Sequence, residues 1–188
     1  ESLEEVKSLP GRMEFIDLPA GGKRNFKVVV DYAFLPQALK KVYETLKNDY
    51  QAKNLICVTG AAGGGRDKWK RPEMGKIAAE FCNEIILTNE DPYDENPLDI
   101  IKDVESGFSQ IPNPKSQITN KFKIPNSKFK TILDRREAIR EAIKLAQTGD
   151  TIIITGKGAE PYIMGPNNTK IPWDDRETAR KELKNTAQ

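Results

Sequence analysis

The sequence contains no histidine and only two cysteines among its 188 residues. Without histidine, a Ser-His-Asp triad, a Cys-His pair and a histidine-ligated zinc site are all impossible within this chain. Cys57 lies in an apolar run and Cys82 at a predicted helix end. Because two cysteines are too few for a disulfide scaffold, we expect both to be reduced, buried thiols.

Long apolar runs and an excess of one charge are also absent. No run approaches the roughly 20 residues of a membrane-spanning helix, and the first residues do not resemble a signal peptide. The 30 basic and 28 acidic residues nearly cancel, so nothing favours a nucleic-acid partner. We therefore expect a soluble, cytoplasmic bacterial protein with no membrane span and no nucleic-acid partner.

Strand and helix patterns alternate along the chain. Apolar residues recurring every three or four positions predict helices near Pro36, Pro72, Pro97 and Asp134, and Asp174 is positioned to cap another. This alternation predicts an α/β, Rossmann-like, doubly wound and mostly parallel sheet of about six strands with helices on both faces. Near-continuous apolar runs predict its buried strands at residues 26–32, 54–60, 84–88, 129–133 and 151–155.

Residues 1–24 do not follow the alternation, although residues 13–18 could form a short strand. We interpret residues 1–24 as a lead-in from a preceding domain and residues 25–188 as the domain itself. Residues 111–128 contain three prolines and little periodicity, which indicates a surface excursion.

Ligands of doubly wound sheets bind at the carboxyl ends of the strands, where four loops of this sequence carry unusual chemistry. The glycine-rich, basic loop GAAGGGRDKWKRP predicts an anion site, with a tight turn bearing a solvated basic rim as the alternative. The loop NEDPYDENP could hold a cation, an ammonium group or ribose hydroxyls, or simply form Asx turns. In GKGAEPY, Lys157 and Glu160 could pair with ligand charges, and VDYAFLP places Asp31 at the end of a buried strand.

Taken in order, VDYAFLPQAL, GGGRDKWKRPEMG, NEDPYDENP, DRREAI, GKGAE and PWDDRETAR resemble the C-terminal domain of the Mur ligase family. The similarity is greatest to the members that add the third residue of the peptidoglycan stem peptide. This resemblance implies an ATP-dependent amide ligase acting on UDP-MurNAc-L-Ala-D-Glu and a free amino acid such as lysine or diaminopimelate. It also implies that ATP and Mg²⁺ are held mainly by a central domain with a P-loop. The sequence has no P-loop, so we expect it to be inactive without the central and N-terminal domains.

The resemblance also implies roles for individual residues of the amino-acid pocket. Arg66 matches the arginine that binds the carboxylate of the incoming amino acid. Asp91 and Tyr93 fall in the turn that contacts the side chain of that amino acid. Gly156 and Glu160 match positions that close the same pocket. The chemistry is suitable, because an arginine fork fits a carboxylate and acids fit an ammonium group.

Arg12 and Asp31 resemble residues that contact the nucleotide, with Asp31 suited to the ribose hydroxyls. No residue is assigned as catalytic or as a metal ligand. Two usual histidines of the family are replaced by Phe34 and Ala159. Phe34 could stack on a base or pack in the hinge, but it cannot hydrogen-bond through its side chain.

The specificity turn departs from the family pattern D-N-P-R, whose arginine is associated with diaminopimelate. Tyr93 stands at that arginine position, so the distal carboxylate of diaminopimelate loses its expected partner. Lysine is then at least as plausible, with the acids Glu90, Asp94 and Glu95 available to a distal ammonium group. Two alternatives remain open: a degenerate, non-catalytic binding module, or a related ligase with another substrate, such as a folylpolyglutamate or cyanophycin synthetase.

Overall fold

A computed structural model describes residues 9–19, 25–65, 67–110 and 128–186. In these ranges, six strands form one sheet and two more form a hairpin. The strands are β1 (Glu14–Phe15), β2 (Lys27–Asp31), β3 (Leu55–Thr59), β4 (Glu84–Leu87), β5 (Lys128–Thr131), β6 (Thr151–Thr155), β7 (Tyr162–Met164) and β8 (Lys170–Pro172). The helices are α1 (Pro36–Asn48), α2 (Lys70–Phe81), α3 (Pro97–Glu105), α4 (Arg135–Leu145) and α5 (Asp175–Thr186), with short 3₁₀ helices at Ser106–Gln110 and Pro166–Asn168.

The large sheet has the strand order β1-β2-β6-β3-β4-β5. Strands β2 to β6 pair in parallel, and β1 is antiparallel to β2. The predicted fold class is therefore confirmed, and each predicted apolar run overlaps a strand. Part of the predicted lead-in, Glu14–Phe15, contributes the edge strand β1.

Alternation of side chains along the strands divides the interior into two cores. One core packs the sheet against α1, α2 and α3, and includes Val29, Cys57 and Ile153. The other packs the opposite face against α4 and α5, and includes Val30 and Ile154. Because both faces are covered, the central strands β2, β3, β4 and β6 are largely apolar, as the sequence pattern indicated. The expectation of a buried strand at residues 129–133 is wrong, because β5 lies at the edge of the sheet and Phe129, Lys130 and Thr131 are exposed.

The helix starts follow the predicted capping chemistry. Asp134 accepts a hydrogen bond from the backbone N–H of Glu137 at 3.0 Å, and Asp174 accepts one from that of Glu177 at 3.2 Å. Pro36 and Pro97 occupy the first turns of α1 and α3. These caps fix where each crossover re-enters the sheet.

The expectation of two reduced cysteines is wrong in this structure, because Cys57 and Cys82 form a disulfide. Cys57 lies on β3 and Cys82 caps the end of α2, with their Cα atoms 6.1 Å apart. Both side chains lie in the core between the sheet and α2. Twenty-five residues separate them in sequence, so their proximity depends on the packing of α2 back onto the sheet.

The β7–β8 hairpin was not predicted. Its strands are three residues each and largely exposed, so they lack the apolar run that marks the other strands. Tyr93 donates its backbone N–H to the carbonyl of Met164 at 3.1 Å, which attaches the hairpin to the acidic loop. Within the described ranges, no helix combines the length and apolarity needed to cross a membrane.

Candidate functional site

The loops singled out in the sequence lie at one edge of the sheet. Asp31 at the end of β2 is paired with Thr155 of β6, and Thr59 of β3 with Leu87 of β4. Parallel strands in register place the loops that follow them side by side. The basic glycine loop, the acidic loop and the GKGAE loop therefore share one surface.

Lys157 joins the acidic loop to the GKGAE loop. Its ammonium group donates to both carboxylate oxygens of Asp91 at 2.8 Å and to Glu160 Oε2 at 2.6 Å, although the residue is only 1% exposed. Burial opposes the charge, but the hydrogen bonds to Asp91 and Glu160 outweigh it and raise the pKa of Lys157. Two predicted pocket residues, Asp91 and Glu160, are thus brought together by one buried cation.

Tyr32 connects Glu160 to the predicted nucleotide residue Arg12. The Tyr32 hydroxyl donates to Glu160 Oε1 at 2.7 Å, and the Arg12 guanidinium lies 4.9 Å from the centre of the Tyr32 ring. The hydrogen bond to Glu160, reinforced by burial, raises the pKa of Tyr32 to about 12. Tyr32 therefore keeps its proton and remains a donor at neutral pH.

Asp31 anchors the turn that precedes β1. Its Oδ1 accepts from the backbone N–H of Ala33 at 2.7 Å and its Oδ2 from that of Met13 at 2.8 Å. Met13 has a positive φ of 44°, which these contacts hold in place. Each carboxylate oxygen keeps a second acceptor site, so the ribose contact of Asp31 stays a prediction.

Glu90 is buried without a hydrogen-bond partner among the described residues. It is 4% exposed, and its buried Oε2 accepts no hydrogen bond from a described residue. Burial raises the pKa of Glu90 to about 7, against the opposing charge of Arg135. An added Cβ at Gly156 would lie 2.3 Å from Glu90 Oε2, so Glu90 would have to move, and the φ of +109° at this position favours glycine.

The other two acids proposed for an ammonium group both accept hydrogen bonds within the protein. Asp94 accepts from the backbone N–H of Asn167 at 2.7 Å. Glu95 accepts from both terminal nitrogens of Arg71 at 3.1 Å and from the N–H of Gly65 at 2.8 Å. The bond from Arg71, followed by that from Gly65, lowers the pKa of Glu95 to about 2. Of the three acids, Glu90 differs in being buried with an oxygen that accepts no hydrogen bond, whereas Asp94 is exposed and Glu95 is paired with Arg71.

Tyr93 covers the glycine loop. Its backbone has a φ of 51°, and its ring lies 3.1 Å from the position of a Cβ built at Gly64. This contact brings the acidic loop against the basic loop. Arg66, predicted to bind a carboxylate, lies outside the described residues.

Two buried cations of this edge were not singled out from the sequence as organising residues. Arg71 ties the glycine loop to α3 through Glu95 and Asp103, and Arg135 pairs with Asp175. Their signal was present, since both are charged residues at helix starts beside ligand loops. Their partners lie 24 to 40 residues away, so spacing could not identify them.

A doubly wound sheet with ion-paired and glycine-rich loops at the carboxyl ends of its strands defines a Rossmann-like ligand-binding domain. Residues 11–158 match the sequence model described as Mur ligase, glutamate ligase domain, and this chain belongs to the Mur ligase family. The resemblance found in the loop motifs is therefore confirmed.

Curated relatives of the chain are UDP-N-acetylmuramoyl-L-alanyl-D-glutamate--2,6-diaminopimelate ligases. The protein from Syntrophomonas wolfei is 38% identical over 97% of this chain and 33% of its own length. That from Caldanaerobacter subterraneus is 40% identical, also over 97% of this chain and 33% of its own length. A solved structure of a ligase of this name matches with a TM-score of 0.77 and 31% identity, over 99% of this chain and 34% of the solved chain. The chain thus spans about a third of the length of the relatives it matches.

Proposed function

We propose that this chain is the amino-acid-binding and ATP-site-closing domain of an ATP-dependent amide ligase. The ligase would add the third residue of the peptidoglycan stem peptide to UDP-MurNAc-L-Ala-D-Glu in the cytoplasm. The observation that carries this proposal is the buried, unpartnered carboxyl group of Glu90 beneath Gly156, between the acidic and GKGAE loops. The names of the relatives support the same reaction.

In the proposed reaction, ATP phosphorylates the terminal carboxylate of the nucleotide peptide. The amine of the incoming amino acid then attacks the carbonyl carbon, a C–N bond forms, and the C–O bond to the phosphoryl group breaks. Inorganic phosphate leaves, and the nitrogen gives up its excess protons. The part of this chain is to hold and orient the amino acid and to exclude water as the domains close.

Residues of this chain are suited to contact ATP, but none is assigned as a ligand of Mg²⁺. Arg12 lies exposed on Tyr32, and Asp31 retains free acceptor sites, as a nucleotide contact requires. When bound, Mg²⁺ supplies charge neutralisation of the phosphates. Within the described residues, no three acidic or cysteine side chains converge as a metal-ligand set, so we assign no Mg²⁺ ligand to this chain.

We further propose that the amino acid carries a second ammonium group and no distal carboxylate. Glu90 offers a carboxyl group to a second ammonium group, whereas Tyr93 offers no charge to a distal carboxylate. This favours lysine or ornithine, and diaminopimelate is the competing substrate.

The test is a ligation assay on the complete ligase with ATP, Mg²⁺ and UDP-MurNAc-L-Ala-D-Glu, offering lysine, ornithine and diaminopimelate separately. We expect a product of the predicted mass with one of them, and loss of that product in Arg66→Ala. Glu90→Gln should raise KM for the amino acid by about tenfold or more, because one charged contact contributes about that much. Glu80→Gln, on the exposed face of α2, is the control. No product with any amino acid from the folded ligase would favour a non-catalytic module or another substrate.

A further inference from the structure

Lys70 is a buried lysine with no anionic partner among the described residues. It is the first residue of α2, directly after the glycine loop, and is only 4% exposed. Its ammonium group makes no hydrogen bond or ion pair with any described side chain. Its one contact is with the ring of Phe34, whose centre lies 5.2 Å away.

The other buried cations of this edge are all paired. Arg71 binds Glu95 and Asp103, Lys157 binds Asp91 and Glu160, and Arg135 binds Asp175. Burial of an ammonium group without a counter-ion is costly, so an unpaired lysine is normally exposed or neutralised. The stem of Lys70 is buried, whereas its ammonium group reaches the surface beside the neutral ring of Phe34, which attracts a cation without neutralising it.

The surroundings of Lys70 are suited to an anionic ligand. The residue opens a 12-residue helix, where the backbone dipole favours negative charge. Phe34 is 37% exposed, so the ring that contacts the ammonium group also reaches the surface. The nearby carboxyl group of Glu90 feels the charge of Lys70 but forms no ion pair with it.

We propose that Lys70 is a catalytic residue whose ammonium group binds a phosphoryl oxygen, either of the ATP γ-phosphate or of the acyl phosphate. The proposal rests on the proposed function, which supplies both phosphoryl groups. Lys70 forms no covalent bond and transfers no proton. It neutralises charge on the phosphoryl group as the C–O bond breaks, while Phe34 fixes the position of the ammonium group.

The test uses the complete ligase with Lys70→Met, and with Lys76→Met on the same helix as the control. Lys70→Met should lower kcat by about 100-fold, which is typical for loss of one preorganised charge-stabilising donor. The same variant should unfold at about the same temperature as the wild type, because methionine keeps the buried stem and the ammonium group makes no ion pair with a described residue that could be lost. A purely structural lysine would instead lose thermal stability and activity together, and that result would overturn the proposal. A kcat within threefold of the wild-type value would also overturn it.

Binding measured without turnover separates this proposal from the proposed function. Inorganic phosphate and a non-hydrolysable ATP analogue should each raise the unfolding temperature of the wild type more than that of Lys70→Met. If wild type makes no product but this difference is found, the phosphate site stands and the substrate assignment fails. If the variant loses the preference for the ATP analogue over ADP, the bound group is the γ-phosphate. If it keeps that preference and still forms ADP but not the amide, the bound group is the acyl phosphate. Equal protection of both proteins by every phosphate compound would overturn the proposal.

Discussion

Two sets of charged residues lie at the same edge of the sheet. Arg135 and Asp175 form an ion pair, whereas Glu90 and Lys70 have no ion-pair partner among the described residues. Arg135, 2% exposed, donates to both oxygens of Asp175 and to the carbonyl of Thr155 at 2.8 Å, and to the carbonyl of Asn89 at 3.2 Å. Glu90 and Lys70 are each only 4% exposed as residues, but neither forms such a bond with a described residue, and Glu90 Oε2 is itself buried. Full pairing is the signature of a structural ion pair, and missing partners at equal burial mark groups placed for a ligand.

The ion pair between Arg135 and Asp175 also stabilises the loops around Glu90. Arg135 and Asp175 begin α4 and α5, and the carbonyls that Arg135 binds belong to the last residue of β6 and to the start of the acidic loop. The pair therefore fixes the loops on either side of Glu90. We call Arg135 and Asp175 the closed pair, and Glu90 and Lys70 the open pair.

Breaking the closed pair should have the largest effect. Arg135→Met leaves the buried carboxylate of Asp175 without its counter-ion and should lower the free energy of unfolding by about 3–5 kcal/mol. Urea denaturation of the 188-residue chain, followed by tryptophan fluorescence, measures this loss. The double variant Arg135→Met/Asp175→Leu should recover most of it, because no uncompensated charge remains. A loss below 1 kcal/mol in the single variant would contradict a structural role for the closed pair.

Replacing Glu90 should have the opposite effect and increase the free energy of unfolding above neutral pH. The pKa of Glu90 is raised from 4.5 to about 7, so the folded state binds a proton more tightly than the unfolded state. Stability therefore falls as pH rises from about 4.5 to about 7, by about 3 kcal/mol, and levels off above that. Glu90→Gln should abolish this slope, which denaturation at pH 5, 6, 7 and 8 tests.

Glu95 provides the matched comparison for the pH slope. Its pKa is lowered to about 2, so its contribution to stability is present above pH 4.5 and is lost as pH falls toward 2. Glu95→Gln should leave the slope between pH 5 and pH 8 unchanged. Identical slopes in wild type and Glu90→Gln would mean that Glu90 is solvated rather than open and buried.

Adding a methyl group next to Glu90 should have a smaller effect on stability. Gly156→Ala places a Cβ 2.3 Å from Glu90 Oε2 at a φ of +109°, and should cost about 2 kcal/mol of stability and raise KM for the amino acid. Gly65→Ala is the control, since φ is +73° there but nothing lies within 4 Å of the added Cβ. Equal losses in the two variants would show that backbone strain alone, without contact with Glu90, accounts for the effect.

The difference between closed and open pairs also explains what the sequence could predict. The strands and helices followed from local patterns, because apolar runs and capping residues such as Asp134 act within a few residues. The loops at the carboxyl edge followed from the parallel topology. Arg12, Asp31, Asp91 and Glu160 were singled out by motif, and they do lie at this edge.

Pairing could not be predicted in the same way. Lys157 and Asp91 are 66 residues apart, and Arg135 and Asp175 are 40 apart, so their bonds exist only in the folded chain. The Cys57–Cys82 disulfide was missed for the same reason. Which charged residues stay unpaired depends on all the others, so Lys70 could not be distinguished from Lys68 by sequence. In the structure, Lys68 is exposed and pairs with Glu95 at 3.1 Å.

The smallest effect on stability is expected from removing the hydrogen bond between Tyr32 and Glu160. Tyr32→Phe removes one hydrogen bond at a partly buried site and should lower the free energy of unfolding by about 1 kcal/mol. Glu160 keeps its bond to Lys157, so the GKGAE loop should stay in place. Tyr50→Phe is the control, because Tyr50 is exposed and contacts Lys27 and Phe15 through its ring. Burial raises the pKa of Tyr43 as well, so absorbance titration should show two tyrosines with raised pKa values, and the one near 12 should disappear in Tyr32→Phe and persist in Tyr50→Phe. If that tyrosine instead titrates near 10, the hydroxyl is not bonded to Glu160, and Glu160 would then be half-open to a ligand, like Glu90.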